Sequence, residues 1–203
     1  VNPIQSRLLS FFALSVLLSL SSCVLPAPIT KTTTDALLAL YRDDHFRPLV
    51  VEYYSELTRD RSVALAILET CDQLELDPSL GFAIAWNESH FDPLAVGHNP
   101  TTVDQGLFQL NSRTFSRLDR KTVFNAKANA LHGLTFYKKV YDKLQSESKA
   151  LGYYNSGIGL TTNRPLPQST VGYIKRVLAD RDRLDHDAIA WLYFSHDTRL
   201  ALR

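Results

Sequence analysis

Asp77-Pro78-Ser79-Leu80-Gly81-Phe82-Ala83-Ile84-Ala85-Trp86-Asn87-Glu88-Ser89 is the stretch on which the reading of this chain turns. An aspartate cap followed by proline at the first helical position predicts a helix from Pro78 to about Ser89. Leu80, Ile84 and Glu88 are spaced by four, so they fall within about a quarter-turn of one another and the carboxylate extends an apolar stripe. Glu88 also sits in the last turn, where unpaired carbonyls disfavour a negative charge, and partial burial disfavours it again. Both effects raise its pKa. A carboxyl group that keeps its proton near neutral pH can hand it to a leaving oxygen.

Working outward from this helix, the chain is read as mainly α, in the α+β sense, with one small β-hairpin. Upstream, Leu37, Leu38, Tyr41, Val50, Tyr54 and Leu57 recur at roughly helical spacing, and Pro48 divides them into two short helices over 35–57. Asp60 is read as the cap of a further helix with Val63, Ile67, Leu68, Cys71 and Leu74 as its apolar stripe. Downstream, Pro93, Gly97, Pro100 and Gly106 interrupt the pattern over 91–109 and predict a loop and hairpin. Helices are then expected over 125–144, up to about Asn155, over 170–184 and over 187–202. The mixed charge run Asp180-Arg181-Asp182-Arg183-Leu184-Asp185-His186-Asp187 between the last two is read as a solvated face.

With 203 residues, 45% hydrophobic and 21% charged, the chain can bury an ordinary core in one principal domain. Lysines and arginines number 22 against 21 acidic residues, and this near balance without a basic run excludes a protein built to hold nucleic acid. None of the six histidines falls into a metal-binding spacing, although His90 and His98 lie in the motif region just after Glu88, so neither metal nor cofactor is expected.

The N-terminal stretch carries Arg7 ahead of the short apolar run 11–20, the pattern of an export signal rather than a bilayer-spanning helix. Leu20-Ser21-Ser22-Cys23 resembles the lipobox of bacterial lipoproteins, which implies acylation of Cys23 and a signal peptide over 1–22. Acyl chains contribute about 0.8 kcal/mol per buried methylene, so several together hold a protein firmly at a membrane. Val24 after the cysteine implies the outer membrane, facing the periplasm. Pro26, Pro28 and the three successive threonines Thr32, Thr33 and Thr34 give residues 23–34 the composition of a tether. The remaining divisions are a helical segment over 35–60, a catalytic domain over 61–180 and a helical extension over 181–203. An acylated Cys23 leaves Cys71 without a disulfide partner, and its apolar surroundings make it a core residue.

Three blocks carry a family resemblance. Glu88-Ser89-His90-Phe91-Asp92-Pro93 resembles the Glu-Ser-x-Phe-x-Pro signature of the goose-type lysozyme and lytic transglycosylase (SLT) superfamily. Gly106-Leu107-Phe108-Gln109-Leu110-Asn111 is similar to the Gly-Leu-Phe-Gln-Ile-Asn segment of that family, and Ala150-Leu151-Gly152-Tyr153-Tyr154-Asn155-Ser156-Gly157-Ile158-Gly159 to its Tyr-Asn block. Asn129, Gly133 and Tyr137, then Thr170 and Tyr173, are weaker matches. The resemblance implies a lysozyme-like domain that acts on the glycan strands of peptidoglycan, with Glu88 as the acid.

Among the candidate substrate-binding residues, Gly106 lets backbone approach a sugar and Gln109 offers both donor and acceptor. By resemblance Tyr154 and Asn155 position substrate and carboxyl; Ser89 is read either as a substrate hydrogen-bonding residue or as a polar end to the helix, and Tyr153 as a core residue. Asp104 resembles the second carboxylate of animal-type lysozymes. Three functions therefore stay open: a transglycosylase using Glu88 alone, a lysozyme-type hydrolase using Glu88 and Asp104, and a non-catalytic cell-wall-binding lipoprotein.

Overall fold

The computed structural model describes residues 33–157 and 165–201. The signal peptide, Cys23 and nearly all of the tether read from the sequence lie outside them, as do Ile158 and Gly159. Eight helices and three short strands follow in the order α1 (Thr33–Arg42), α2 (Arg47–Thr58), α3 (Arg61–Leu74), α4 (Pro78–Ser89), β1 (Val96–His98), β2 (Val103–Gln105), β3 (Leu110–Asn111), α5 (Arg120–Val123), α6 (Ala126–Leu144), α7 (Glu147–Ser156) and α8 (Gln168–Ala201). The mainly helical fold with a small β element is the one the sequence predicts.

The helix starts follow from local chemistry. Asp60 accepts from the backbone N–H groups of Ser62 and Val63 to open α3, Asp77 accepts from Ser79 N–H to open α4, and Asn125 accepts from Ala128 N–H to open α6. Each satisfies a donor that the first turn leaves unpaired. α4 is buried on every face from Pro78 to Ala85, which makes it the central rod. Its Phe82 stacks on Tyr54 of α2 with ring centroids 3.9 Å apart. Gly81 lets α3 come close, since a Cβ there would lie 2.6 Å from Cys71 Sγ. Cys71 is fully buried in that contact.

α4 ends abruptly. His90 (φ 53°) and Phe91 (φ 68°) are two consecutive non-glycine residues in the left-handed region, at about 1 to 2 kcal/mol each. Burial of the Phe91 ring against Phe82 and Trp86 offsets that strain and turns the chain back toward the sheet. The sheet is antiparallel in the order β1-β2-β3, one strand more than the predicted hairpin. Its register aligns Gly97, Asp104 and Asn111 in one row, so their side-chain directions share one face.

Two expectations about the C-terminal region are corrected. Residues 168–201 form one continuous helix instead of two, and the expected boundary at 180 falls inside it. No glycine or proline interrupts the span between Gly172 and Ala201, and Arg183 pairs with Asp180 and Asp187 at helical spacing. The charge run is also not simply a solvated face: Leu184, Asp185 and Ala188 are buried, and Arg181 pairs with Glu147 of α7. The helices of 35–60 likewise join the same core through Leu37, Val50 and Tyr54.

Candidate active site

Glu88 lines a cleft of about 590 Å³ bounded by the sheet, the turn that follows it and the C-terminal end of α7. Asp104, Gln109, Asn111, Tyr154 and Asn155 line the same cleft, so residues from three separate sequence blocks meet in one place. The Glu88 side chain is half-buried at its wall. From α8 the Tyr173 hydroxyl donates to Glu88 Oε1 at 2.6 Å. Burial pushes the carboxyl up, the Tyr173 hydrogen bond pulls it down, and the nearby charge of Asp104 raises it again, leaving it at about 7. Tyr173 is itself buried, which raises its pKa well above 10 and keeps its proton available to donate.

α8 grips α4 at the adjoining residue too. Asn87 Nδ2 donates to Asp180 Oδ2 at 2.8 Å and to the Ala83 carbonyl at 3.0 Å, while Arg176 Nε donates to Asn87 Oδ1 at 3.4 Å. Tyr173, Arg176 and Asp180 share one face of α8 by helical spacing. That face fixes where the end of α4, and with it Glu88, stands.

The turn over 106–109 forms the opposing wall, and a buried asparagine holds it. Asn129 Oδ1 accepts from Phe108 N–H at 2.7 Å, and its Nδ2 donates to the carbonyls of Gln105 (3.0 Å) and Val123 (2.7 Å). Gly106 has φ 77°, and a Cβ there would lie 2.2 Å from Asn129 Nδ2 and 2.6 Å from the Val123 carbonyl. The close approach this glycine permits is therefore to the Asn129 clamp, not to a ligand; Gly106 is buried behind the wall.

Ser89 differs from its expected position as well. It is buried, and its hydroxyl reaches the carbonyls of Leu107 (2.8 Å) and Ala85 (3.2 Å), tying α4 to the turn instead of facing the cleft. Gln109 faces the cleft, but its Nε2 donates to the Ala95 and Gly106 carbonyls at 3.2 and 2.9 Å. Two carbonyl partners fix the amide orientation, so Oε1 remains as an acceptor and the expected donor role is already taken.

Tyr154 donates its hydroxyl to the Phe108 carbonyl at 2.8 Å, so its ring forms the cleft wall and its proton is already placed. Asn155 is exposed beside it. Tyr153, expected in the core, is half-buried and lines the cleft. Asp104 accepts from Asn99 Nδ2 at 2.6 Å and from Asn111 Nδ2 at 2.7 Å, one amide on each oxygen. His90 turns away to meet the Trp86 ring at 4.5 Å, and His98 is exposed on β1. Among the described residues no group of three or more His, Cys, Asp or Glu side chains is arranged to hold a metal ion.

Sequence reasoning gave Tyr173 and Asn129 no role. Both stood among the weaker motif matches, and that was the only signal available for them. Residues 66–169, just over half of the chain, match the transglycosylase SLT domain. The chain belongs to that family. The matched part of the SLT domain contains Glu88, Asp104, Asn129, Tyr154 and Asn155, and it stops just short of Tyr173. No curated protein and no solved structure matches the chain.

Proposed function

We propose that this protein is a peptidoglycan lytic transglycosylase in which Glu88 is both acid and base. The observation that carries the reading is a carboxyl group at about 7, hydrogen-bonded by Tyr173, in the wall of a polar cleft. In its protonated form Glu88 donates to the oxygen joining N-acetylmuramic acid to N-acetylglucosamine. The C1–O bond breaks, and positive charge develops on the muramic ring. The resulting Glu88 carboxylate removes the proton of the muramic C6 hydroxyl, whose oxygen attacks C1. A 1,6-anhydro end forms, Glu88 recovers its proton, and no water is consumed. Tyr173 is a positioning residue in this scheme, since it holds one carboxyl oxygen while the other faces the bond.

Asp104 supports a second reading. Its charge lies close enough to raise Glu88, and it lines the same cleft. A lysozyme-type hydrolase would use it to stabilise or capture the sugar cation before water completes the reaction. The amides of Asn99 and Asn111 on its two oxygens favour a fixed electrostatic role over attack. Incubating the protein with peptidoglycan and identifying the released ends by mass spectrometry tests all readings: anhydro ends are expected, reducing ends would indicate the hydrolase, and intact strands a wall-binding protein. Glu88→Gln is expected to abolish cleavage in a folded protein.

We further propose that the protein works at the cell envelope, on a lipid anchor at the outer membrane facing the periplasm, a reading that the lipobox-like sequence at Cys23 supports. Metabolic labelling with a fatty acid, lost in Cys23→Ala, tests that placement.

A further inference from the structure

Behind the sheet lies a second groove, of about 560 Å³, lined by Leu94, Val96, Arg120, Lys121 and Phe124. The row Gly97, Asp104, Asn111 points to the cleft side, so Val96, one residue along β1, points the other way. Between Leu94 and Val96 the Ala95 carbonyl accepts from Gly106 N–H and from the cleft residue Gln109. The backbone between two groove residues is thus bonded directly to a residue of the cleft.

The groove combines two chemistries. Leu94 is 66% exposed and Val96 46%, a pair of apolar side chains left in water beside the Phe124 ring. Arg120 lies over that ring at 5.3 Å, and Lys121 stands next to it in the lining. These cations continue a local excess: Arg113, Arg117, Arg120 and Lys121 face only Asp119 within 113–121, in a chain whose net charge is +1. Asp119 is occupied as the cap of α5, accepting from Thr122 N–H at 2.7 Å. Arg113 borders the cleft itself, and Arg120 and Lys121 line the groove.

We propose that this groove binds the acidic stem peptide of a glycan strand whose sugars occupy the cleft. Such peptides carry free carboxylates together with alanine methyl groups, which suit the cations and the exposed Leu94 and Val96 respectively. The inference rests on the proposed peptidoglycan substrate and adds that the peptide, not the sugar alone, contributes to recognition.

The test measures binding, so that it does not depend on turnover. Soluble strands, either carrying peptides or stripped of them by an amidase, are titrated into Glu88→Gln protein with and without Arg120→Glu and Lys121→Glu. Reversing two surface charges is expected to weaken binding of peptide-bearing strands about tenfold and to leave stripped strands unchanged. Leu94→Ser, a change at an exposed position, is expected to weaken the same peptide-bearing strands about threefold should the charge reversal impair folding.

Unchanged affinity for peptide-bearing strands would overturn the inference, as would an equal loss on both substrates. Loss of binding to phosphatidylglycerol vesicles, with strand binding intact, would assign the patch to a membrane surface and overturn it as well. Peptide-dependent binding in a wild-type protein that leaves strands uncut would instead refute the catalytic reading while the groove assignment stands.

Discussion

Replacing Glu88 by Gln should stabilise the fold at alkaline pH and do almost nothing at acidic pH. Below pH 4.5, the ordinary value of a glutamate, the side chain is protonated in both the folded and the unfolded chain. As pH rises from 4.5 to about 7, the unfolded chain releases its proton while folded Glu88 keeps it, so stability falls across this window. Above it the folded group ionises too, and the loss is complete. At about 1.4 kcal/mol per pH unit the full difference is about 3 kcal/mol. Because Glu88 opens onto a solvated cleft, about 2 kcal/mol is the expected share. The amide of the variant never ionises and still accepts the Tyr173 hydrogen bond. At pH 8 its melting temperature should therefore exceed wild type by about 4 to 8 °C. At pH 4 the two should nearly coincide. Asp77, raised to about 6 by burial, contributes equally to both proteins and cancels. Paired thermal melts across pH 4 to 8 measure the difference directly; an offset that does not change with pH would refute a desolvated carboxyl at position 88.

Three other outcomes are expected. Tyr173→Phe removes the hydrogen bond that favours ionised Glu88, so the alkaline limb of the kcat/KM profile, near 7 in the wild type, should move up by about one pH unit; a limb that stays or moves down would contradict the geometry. Asp104→Asn should lower anhydro-product formation by no more than about tenfold, whereas a fall of several orders of magnitude in a rate assay would favour two-carboxylate hydrolysis. Gly106→Ala places a Cβ against Asn129 and the Val123 carbonyl at φ 77° and should cost about 3 to 5 kcal/mol by urea denaturation.

What was legible in the sequence depended on local chemistry. Asp60, Asp77 and Asn125 open helices by capping their own first turns, so these starts could be read from a few adjacent residues. The position of Glu88 at the end of an apolar stripe was legible for the same reason. The partners of Glu88 were not, because Tyr173 lies 85 positions away and meets it only when α8 packs on α4. Gly106 reads as a substrate residue, and Ser89 as either a substrate residue or a polar helix end, for want of their true neighbours: nothing local reveals that Leu107 and Asn129 already occupy them. The charge run at 180–187 misled because composition does not say which side of a helix faces α4, and Asp180 faces Asn87.

The family match ends at residue 169, and α8 continues to Ala201 with Tyr173 on its first turns. A fragment trimmed to the matched limits would keep Glu88 and discard the Tyr173 phenol bonded to it, together with Arg176 and Asp180. Such a fragment would carry the three main motif blocks and still lack the hydrogen bond that holds the Glu88 carboxyl. Minimal versions of this SLT-domain protein intended for use in vitro should accordingly be cut beyond α8 rather than at the border where sequence similarity fades.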